Sequence, residues 1–149
     1  MKVVFFEEVQ NKREVLEVML QLRSTYDLDS LAEQIEKQQA KGYQLVSVQS
    51  DAGVLAVAGF IVTEKLAWGK SIYIDDLVTN ENCRFGGVGH FLMEWFKSYA
   101  KENGYKQIHL DSNVQRFDAH RFYLRQGFNI ASHHFSLACL MNLNLKLMS

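Results

Sequence analysis

The sequence predicts an α/β fold with a mixed central sheet of about seven strands and helices on both faces. Two observations predict it. Seven short segments have the alternating or continuous apolar pattern of strands, and four longer segments carry apolar residues at helical spacing. Along the chain they follow the order strand, two helices, three strands, helix, strand, helix and two strands. The chain has 149 residues, the length of one domain, which we expect to span residues 1–149.

The first half of the chain is predicted to form a strand, two helices and an antiparallel meander. The first helix carries a broad apolar stripe that includes Val15, Leu16 and Met19. The second helix ends at Gly42, a residue suited to the left-handed backbone that closes a helix. In order, the expected elements are a strand at 3–6, helices at 12–23 and 30–41, and strands at 43–49, 54–63 and 71–79.

The second half is predicted to start with an amphipathic helix that runs from His90 to Lys101 and stops at Asn103-Gly104. A helix that connects two strands of one sheet makes a parallel, right-handed crossover, so the strand at 71–79 and the next strand should be parallel. In order, the expected elements are this helix, a strand at 107–111, a helix at 116–126, and a closing hairpin of strands at 128–131 and 137–145.

A glycine-rich turn precedes the helix at His90. Gly86, Gly87 and Gly89 fall within four residues and leave successive backbone N–H groups uncovered by Cβ atoms. These donors and the positive end of the helix dipole form a cradle suited to a phosphate or pyrophosphate. We therefore expect the chain to bind a phosphorylated cofactor.

The spacing separates three classes of cofactor. A nucleoside-triphosphate loop needs Gly-Lys-Ser/Thr, and Gly89 is followed by His90 and Phe91. A dinucleotide fingerprint needs a third glycine where this chain has Leu92, although Asp111 lies where a ribose-binding acid would be. The strand before the turn also carries two acidic residues, whereas a first dinucleotide-binding strand is nearly all apolar. The dinucleotide interpretation stays open as the second choice.

The third class fits best. Arg84-x-x-Gly87-x-Gly89 resembles the Gln/Arg-x-x-Gly-x-Gly/Ala signature of the GNAT superfamily of N-acetyltransferases. Downstream, Ala119-His-Arg-Phe-Tyr123 followed by Gly127-Phe128 is similar to the second landmark of that family, and the order and spacing agree. The resemblance covers residues 72–128 specifically. One departure is Arg116, which stands where many members carry Asn.

The resemblance implies a GNAT-like fold and acetyl-CoA as cosubstrate. The turn would hold the pyrophosphate, and a backbone N–H near Leu77 or Val78, where the family's strand bulges, would polarise the thioester carbonyl. Arg116 could reach the phosphates or could form a surface salt bridge. The residues expected to bind the cofactor are Leu77, Val78, Arg84, Phe85, Gly86, Gly87, Val88, Gly89, His90 and Arg116.

Transfer of an acetyl group to an amine needs an unprotonated nucleophile. Deprotonating an alkylammonium at pH 7 costs roughly 4.6 kcal/mol, and a carboxylate can take that proton. Asp75 and Asp76 are the candidates, and strand alternation predicts that they point to opposite faces. Tyr123 is the candidate general acid, because a phenol with a pKa of about 10 can protonate a thiolate with a pKa near 8.5. Packing is the alternative role of Tyr123.

The acceptor is expected to be a small-molecule or peptide amine. By resemblance, the first two helices and the region 63–71 line the acceptor side, where acids and aromatic rings would suit a cation. Asp27 and Asp29 could instead be helix caps. The side chains concerned are Tyr26, Asp27, Asp29, Glu64 and Trp68. A noncatalytic acyl-CoA-binding sensor remains an alternative function.

Composition narrows the partners and the compartment. A formal charge of -1 argues against a nucleic-acid partner, and Cys83 and Cys139 have no metal-ligand spacing, so no metal is expected. No apolar run is long enough for a membrane span or a signal peptide, and we expect a cytoplasmic protein. The alternating residues 142–147 predict an edge strand, which could pair with a second copy of the chain as a homodimer or be blunted by Asn and Lys.

Overall fold

The computed structural model describes residues 1–83 and 86–142. The chain divides into two compact units, Met1–Asp111 and a second unit that starts at Ser112. The single domain expected from the length stays a prediction. None of the helices in these described ranges has the length and apolar character needed to cross a membrane.

The first unit contains a five-stranded mixed sheet in the order β1-β2-β3-β4-β5. Pairing is antiparallel from β1 to β4 and parallel between β4 and β5, as the helical crossover predicted. Three helices belong to this unit, and their bounds lie within two residues of the predicted ones. The elements are β1 (Lys2–Phe5), a short 3-10 helix (Phe6–Glu8), α1 (Lys12–Leu22), α2 (Leu28–Gln39), β2 (Gln44–Ser50), β3 (Gly53–Lys65), β4 (Gly69–Thr79), α3 (Val88–Glu102) and β5 (Gln107–Leu110).

Helices cover both faces of this sheet because β3 is apolar on both sides. One core lies between the sheet and the helices α1 and α2, and Val57 of β3 belongs to it. The next buried ring on β3, Phe60, packs against Phe96 of α3 with ring centroids 5.2 Å apart. Val57 and Phe60 lie on opposite faces, since strand residues an odd number apart point to opposite sides. The prediction of helices on both faces is confirmed for this unit.

The second unit contains α4 (Phe117–Arg125) and a short 3-10 helix (Leu140–Asn142). Residues 128–139 form no regular structure, so the predicted hairpin is wrong as far as it falls on described residues, and the sheet described has five strands. All side chains from 129 to 141 are exposed. A hairpin that buries no apolar face is marginal at best, which explains the difference. Residues 143–145 of that hairpin, and most of the predicted edge strand at 142–147, lie outside the described residues.

Candidate active site

Strand β4 consists of two unlike halves. From Ser71 to Ile74 it pairs with β3 on one side and with β5 on the other, and the ladder with β5 ends at Ile74. From Asp76 to Thr79 it continues along β3 alone. Between the halves, Gly59 pairs with Asp76 and Phe60 with Ile74, so Asp75 is an extra, bulged residue. The acidic pair therefore lies where β4 and β5 stop pairing.

Both oxygens of the Asp76 carboxylate are engaged. Arg23, at the end of α1, donates from Nε to Oδ1 at 2.8 Å, and the Tyr43 hydroxyl donates to Oδ2 at 2.7 Å. Tyr43 is 5% exposed, and burial, followed by the charge of Asp76, raises the pKa of its phenol far above the ordinary value. Tyr43 is therefore a permanent donor that holds Asp76 in place.

Asp75 has a different environment. Its backbone carbonyl accepts from Arg23 Nη2 at 3.1 Å, whereas its exposed carboxylate has no hydrogen-bond partner among the described residues. Burial of part of the group, followed by repulsion from Asp76, raises the pKa of the Asp75 carboxyl above its ordinary value. Asp75 is thus a carboxylate that is free to take a proton or to bind a cation.

The two acids border one cavity. It measures about 350 Å³ and lies among α1, α2 and β4. Simple alternation predicted opposite faces for Asp75 and Asp76, but a bulge places consecutive residues on the same side of a strand. Tyr26, an expected acceptor-side residue, also lines this cavity. The bulge was expected near Leu77 or Val78 and lies two residues earlier; Leu77 and Val78 pair regularly with Ala58 and Val57.

The glycine turn ends in a left-handed residue. Gly87 has φ 84° and caps α3, and within the described ranges no side chain makes a hydrogen bond to this cap. A Cβ added at Gly86 or Gly87 would meet nothing within 4 Å, so the backbone there is open to a ligand. Val88, Gly89 and His90 form the first turn of α3, where the first N–H groups of an α-helix have no partner within the helix. This arrangement fits the pyrophosphate of acetyl-CoA. Arg84 and Phe85 lie outside the described residues.

Tyr123 lies on α4 in the second unit. Its ring is half-buried and packs against Phe128 with centroids 5.8 Å apart. Its hydroxyl has no hydrogen-bond partner in the described part of the chain. Burial raises the pKa of this phenol, and the charge of Arg116, the residue that precedes α4, opposes the increase. The hydroxyl is therefore protonated, and no described residue accepts its hydrogen bond.

Two other expected acceptor-side residues have structural contacts. Asp27 caps α2, because its side chain accepts from the Ser30 N–H at 2.8 Å, as the alternative role predicted. Trp68 stacks on His109 with ring centroids 3.5 Å apart, and the Lys65 Nζ lies 4.2 Å from the Trp68 ring centroid.

Sequence analysis missed three residues around Asp76. Arg23 and Tyr43 were assigned no role, and Gly59 was treated as an ordinary strand residue. A Cβ added at Gly59 would overlap the Tyr43 hydroxyl and ring, so the glycine lets that hydroxyl reach Asp76. The signal was present, because a glycine inside an apolar strand often marks the close approach of another group.

The comparisons with known proteins bear on this arrangement. Residues 10–128 match the model of the Acetyltransferase (GNAT) family. The chain belongs to the GNAT acetyltransferase family. It is an N-acetyltransferase, and the family uses acetyl-CoA as its cosubstrate. The match supports the interpretation of the glycine turn as part of a GNAT acetyltransferase.

Two relatives and one solved structure illustrate the similarity. The "Uncharacterized N-acetyltransferase YhdJ" of Bacillus subtilis is 30% identical over 138 residues, which cover 89% of this chain and 97% of YhdJ. An aminoalkylphosphonate N-acetyltransferase of Salmonella typhimurium is 35% identical over 65 residues, 44% of this chain and 42% of its own. The structure of glucosamine-6-phosphate N-acetyltransferase from Arabidopsis thaliana has a TM-score of 0.71 at 18% identity and covers 93% of this chain and 97% of its own. At that identity the structure shows the GNAT fold alone.

Proposed function

We propose that this GNAT protein transfers the acetyl group of acetyl-CoA directly to a primary amine. One observation carries the proposal: strand β4 loses its β5 partner at Ile74, presents two carboxylates at that point, and leads to a helix capped by left-handed Gly87. We infer that the acetyl donor and the amine acceptor meet along this strand. Acetyl-CoA supplies the activated thioester when it is bound.

The donor side is assigned to the turn and to β4. The backbone N–H groups of Gly86, Gly87, Val88, Gly89 and His90 are proposed to hold the pyrophosphate, together with Phe85 and the guanidinium of Arg84. An N–H of Leu77 or Val78, in the half of β4 without a β5 partner, is proposed to polarise the thioester carbonyl. Arg116 is proposed as a further phosphate contact.

The acceptor side is assigned to the cavity at Asp75 and Asp76. A carboxylate there offsets part of the roughly 4.6 kcal/mol needed to free the lone pair of an alkylammonium at pH 7. The raised pKa of Asp75 brings it closer to that task. Tyr123, protonated and without a hydrogen-bond partner in the described residues, is proposed to donate a proton to the departing thiolate. A cytoplasmic location and a homodimer remain predictions.

Calorimetry with acetyl-CoA tests the donor site. Gly87→Glu should abolish binding, because the new side chain adds bulk and negative charge where the phosphates would lie. Gly104→Glu is the matched control, since Gly104 also has a left-handed backbone with open space around it and lies beyond the other end of α3. A folded Gly87→Glu protein with wild-type affinity would overturn the proposal.

Two further outcomes distinguish the alternatives. Tight binding of acetyl-CoA, with no release of free thiol in the presence of any primary amine, would indicate a noncatalytic sensor. Micromolar binding of NADH without binding of acetyl-CoA would favour the dinucleotide interpretation.

A further inference from the structure

The environment of Asp76 differs from that of a residue that meets a substrate. Its side chain is 14% exposed, and each of its two oxygens accepts a short hydrogen bond from another element of the fold. One donor is a guanidinium and the other is a buried phenol. A carboxylate with this coordination has few sites left for a substrate amine.

The same two donors act on the bulge. Besides its bond to Asp76, Arg23 donates from Nη2 to the backbone carbonyl of Asp75 at 3.1 Å, so one guanidinium spans both residues. Tyr43 reaches Asp76 across Gly59, the residue that pairs with Asp76 on β3. Arg23, which follows α1, therefore bonds both Asp75 and Asp76, whereas Tyr43, which precedes β2, bonds Asp76 alone.

We propose that Asp76 is a positioning residue, and that Arg23, Asp76 and Tyr43 form a clamp that orients Asp75 as the one carboxylate available to the acceptor amine. The inference rests on the proposed function. It gives different roles to Asp75 and Asp76, which the sequence alone did not distinguish. Asp75 is the catalytic residue of the pair, and the clamp acts through it.

The clamp also narrows the class of acceptor. Three charged side chains line the cavity, and the charges of Arg23 and Asp76 offset each other, which leaves the single negative charge of Asp75. Among the lining residues that the structure describes, the only cation is Arg23, which is already bonded to Asp76 and to the carbonyl of Asp75. The remaining described lining is apolar or neutral: Met19, Tyr26, Leu31, Gln34, Ile35, Gln38 and Tyr43. The described part of the cavity therefore suits a primary alkylammonium with an uncharged body, and it offers no free cation to a phosphate or phosphonate group.

Kinetics on a small set of variants test the different roles proposed for Asp75 and Asp76. Thiol release from acetyl-CoA is measured with hexylamine and tyramine as neutral-bodied amines. Asp75→Asn should lower kcat/KM for the amine about 10²–10⁴-fold, and Asp76→Asn roughly 10- to 100-fold through misplacement of Asp75. Tyr43→Phe should have no further effect once Asp76→Asn is present, because both act through one group. Asp51→Asn, an exposed residue of the β2–β3 turn, is the charge-matched control and should match wild type.

A pH profile separates positioning from base catalysis. Asp76→Asn should keep the acidic limb of the profile of kcat/KM for the amine, because Asp75 still titrates, and Asp75→Asn should remove it. The KM for acetyl-CoA should stay unchanged in every variant. Loss of the acidic limb in Asp76→Asn alone would reverse the assignment and overturn the proposal. An activity for 2-aminoethylphosphonate above that for hexylamine would overturn the acceptor class.

Unfolding in urea tests the clamp without the need for an amine substrate. Asp76→Asn should lower the unfolding midpoint clearly more than Asp51→Asn does, because Asn offers one acceptor oxygen to the two donors Arg23 and Tyr43 and turns an N–H towards one of them. Asp75→Asn should not lower it. Equal unfolding midpoints for Asp75→Asn and Asp76→Asn would overturn the clamp. If wild type turns over no amine, the proposed function fails, and the unfolding comparison still decides the clamp.

Discussion

The regions around Tyr43 and Tyr123 contain the same side chain in opposite roles. Tyr43 lies before β2, is nearly inaccessible, and donates its hydroxyl to Asp76 at 2.7 Å. Tyr123 lies on α4, a helix with no fully buried residue, and its hydroxyl has no partner among the described residues. Burial raises the pKa of both phenols, so both hydroxyls keep their protons at neutral pH.

The hydroxyls of Tyr43 and Tyr123 differ in hydrogen bonding and not in protonation state. A hydroxyl that is paired inside the fold stabilises the geometry of its acceptor and has no proton to give to a substrate. A hydroxyl that is protonated and unpaired keeps its proton for a ligand. The same contrast holds between the carboxylate of Asp76, which is paired, and that of Asp75, which has no hydrogen-bond partner in the part of the chain that the structure describes. Removing one member of either contrast should therefore have a measurable effect.

The largest effect is expected at Tyr123. Tyr123→Phe keeps the ring contact with Phe128 and should lower kcat about 10²–10⁴-fold, or roughly 3–5 kcal/mol of barrier, if the phenol protonates the thiolate. The affinity for acetyl-CoA, measured by calorimetry, should change by about 1 kcal/mol at most. A wild-type kcat across the pH range would assign Tyr123 to packing and remove the contrast with Tyr43.

The next effect concerns the glycine that admits Tyr43. Gly59→Ala would place a Cβ on the Tyr43 hydroxyl and ring, and should cost about 1–3 kcal/mol from overpacking. Displacement of the phenol would add roughly 1–3 kcal/mol for the acceptor left short of a donor. Chemical denaturation measures the loss. In the double variant with Tyr43→Ala the two losses should be clearly less than additive.

Gly42→Ala serves as the control for that measurement. Gly42 is left-handed, but an added Cβ there meets nothing within 4 Å, so only backbone strain of about 1–2 kcal/mol is expected. A smaller loss of unfolding free energy for Gly59→Ala than for Gly42→Ala would show that Tyr43 moves aside at little cost. Its hydrogen bond would then not hold Asp76 in place.

The smallest effect is the pH dependence of stability due to Asp75. Because the pKa of its carboxyl is raised in the folded state, the protonated form is favoured there, and stability falls as the pH rises from the ordinary value of 3.8 through the folded value. Asp75→Asn should remove this decline and stabilise the protein at pH 7 by less than about 1 kcal/mol, since the group is exposed and screened. Thermal unfolding from pH 3 to pH 7 measures it. A stability that rises over that window only while Asp75 is present would contradict the raised pKa. The charged and titratable groups that act on Asp75 are Asp76, Arg23, Asp111, Tyr43 and Tyr73.

Local signals in the sequence determined the helices and the first five strands. Apolar spacing in α1 and α3, the capping position of Asp27, and the glycines before α3 each act within a few residues, so they can be recognised without the rest of the fold. The same locality explains why the left-handed glycine turn before α3 and the family of the chain could be predicted.

The tertiary structure decided what depends on partners distant in the chain. The bulge at Asp75 is a property of the register between β3 and β4, and no pattern on β4 alone distinguishes a bulged acid from a regular one. The hydrogen bonds of the Asp76 carboxylate come from Arg23 and Tyr43, which are 53 and 33 residues away in the chain. Residues 137–142, the described part of the second strand of the predicted hairpin, form no strand, because a strand also needs a paired edge and the sequence of one segment does not specify that edge.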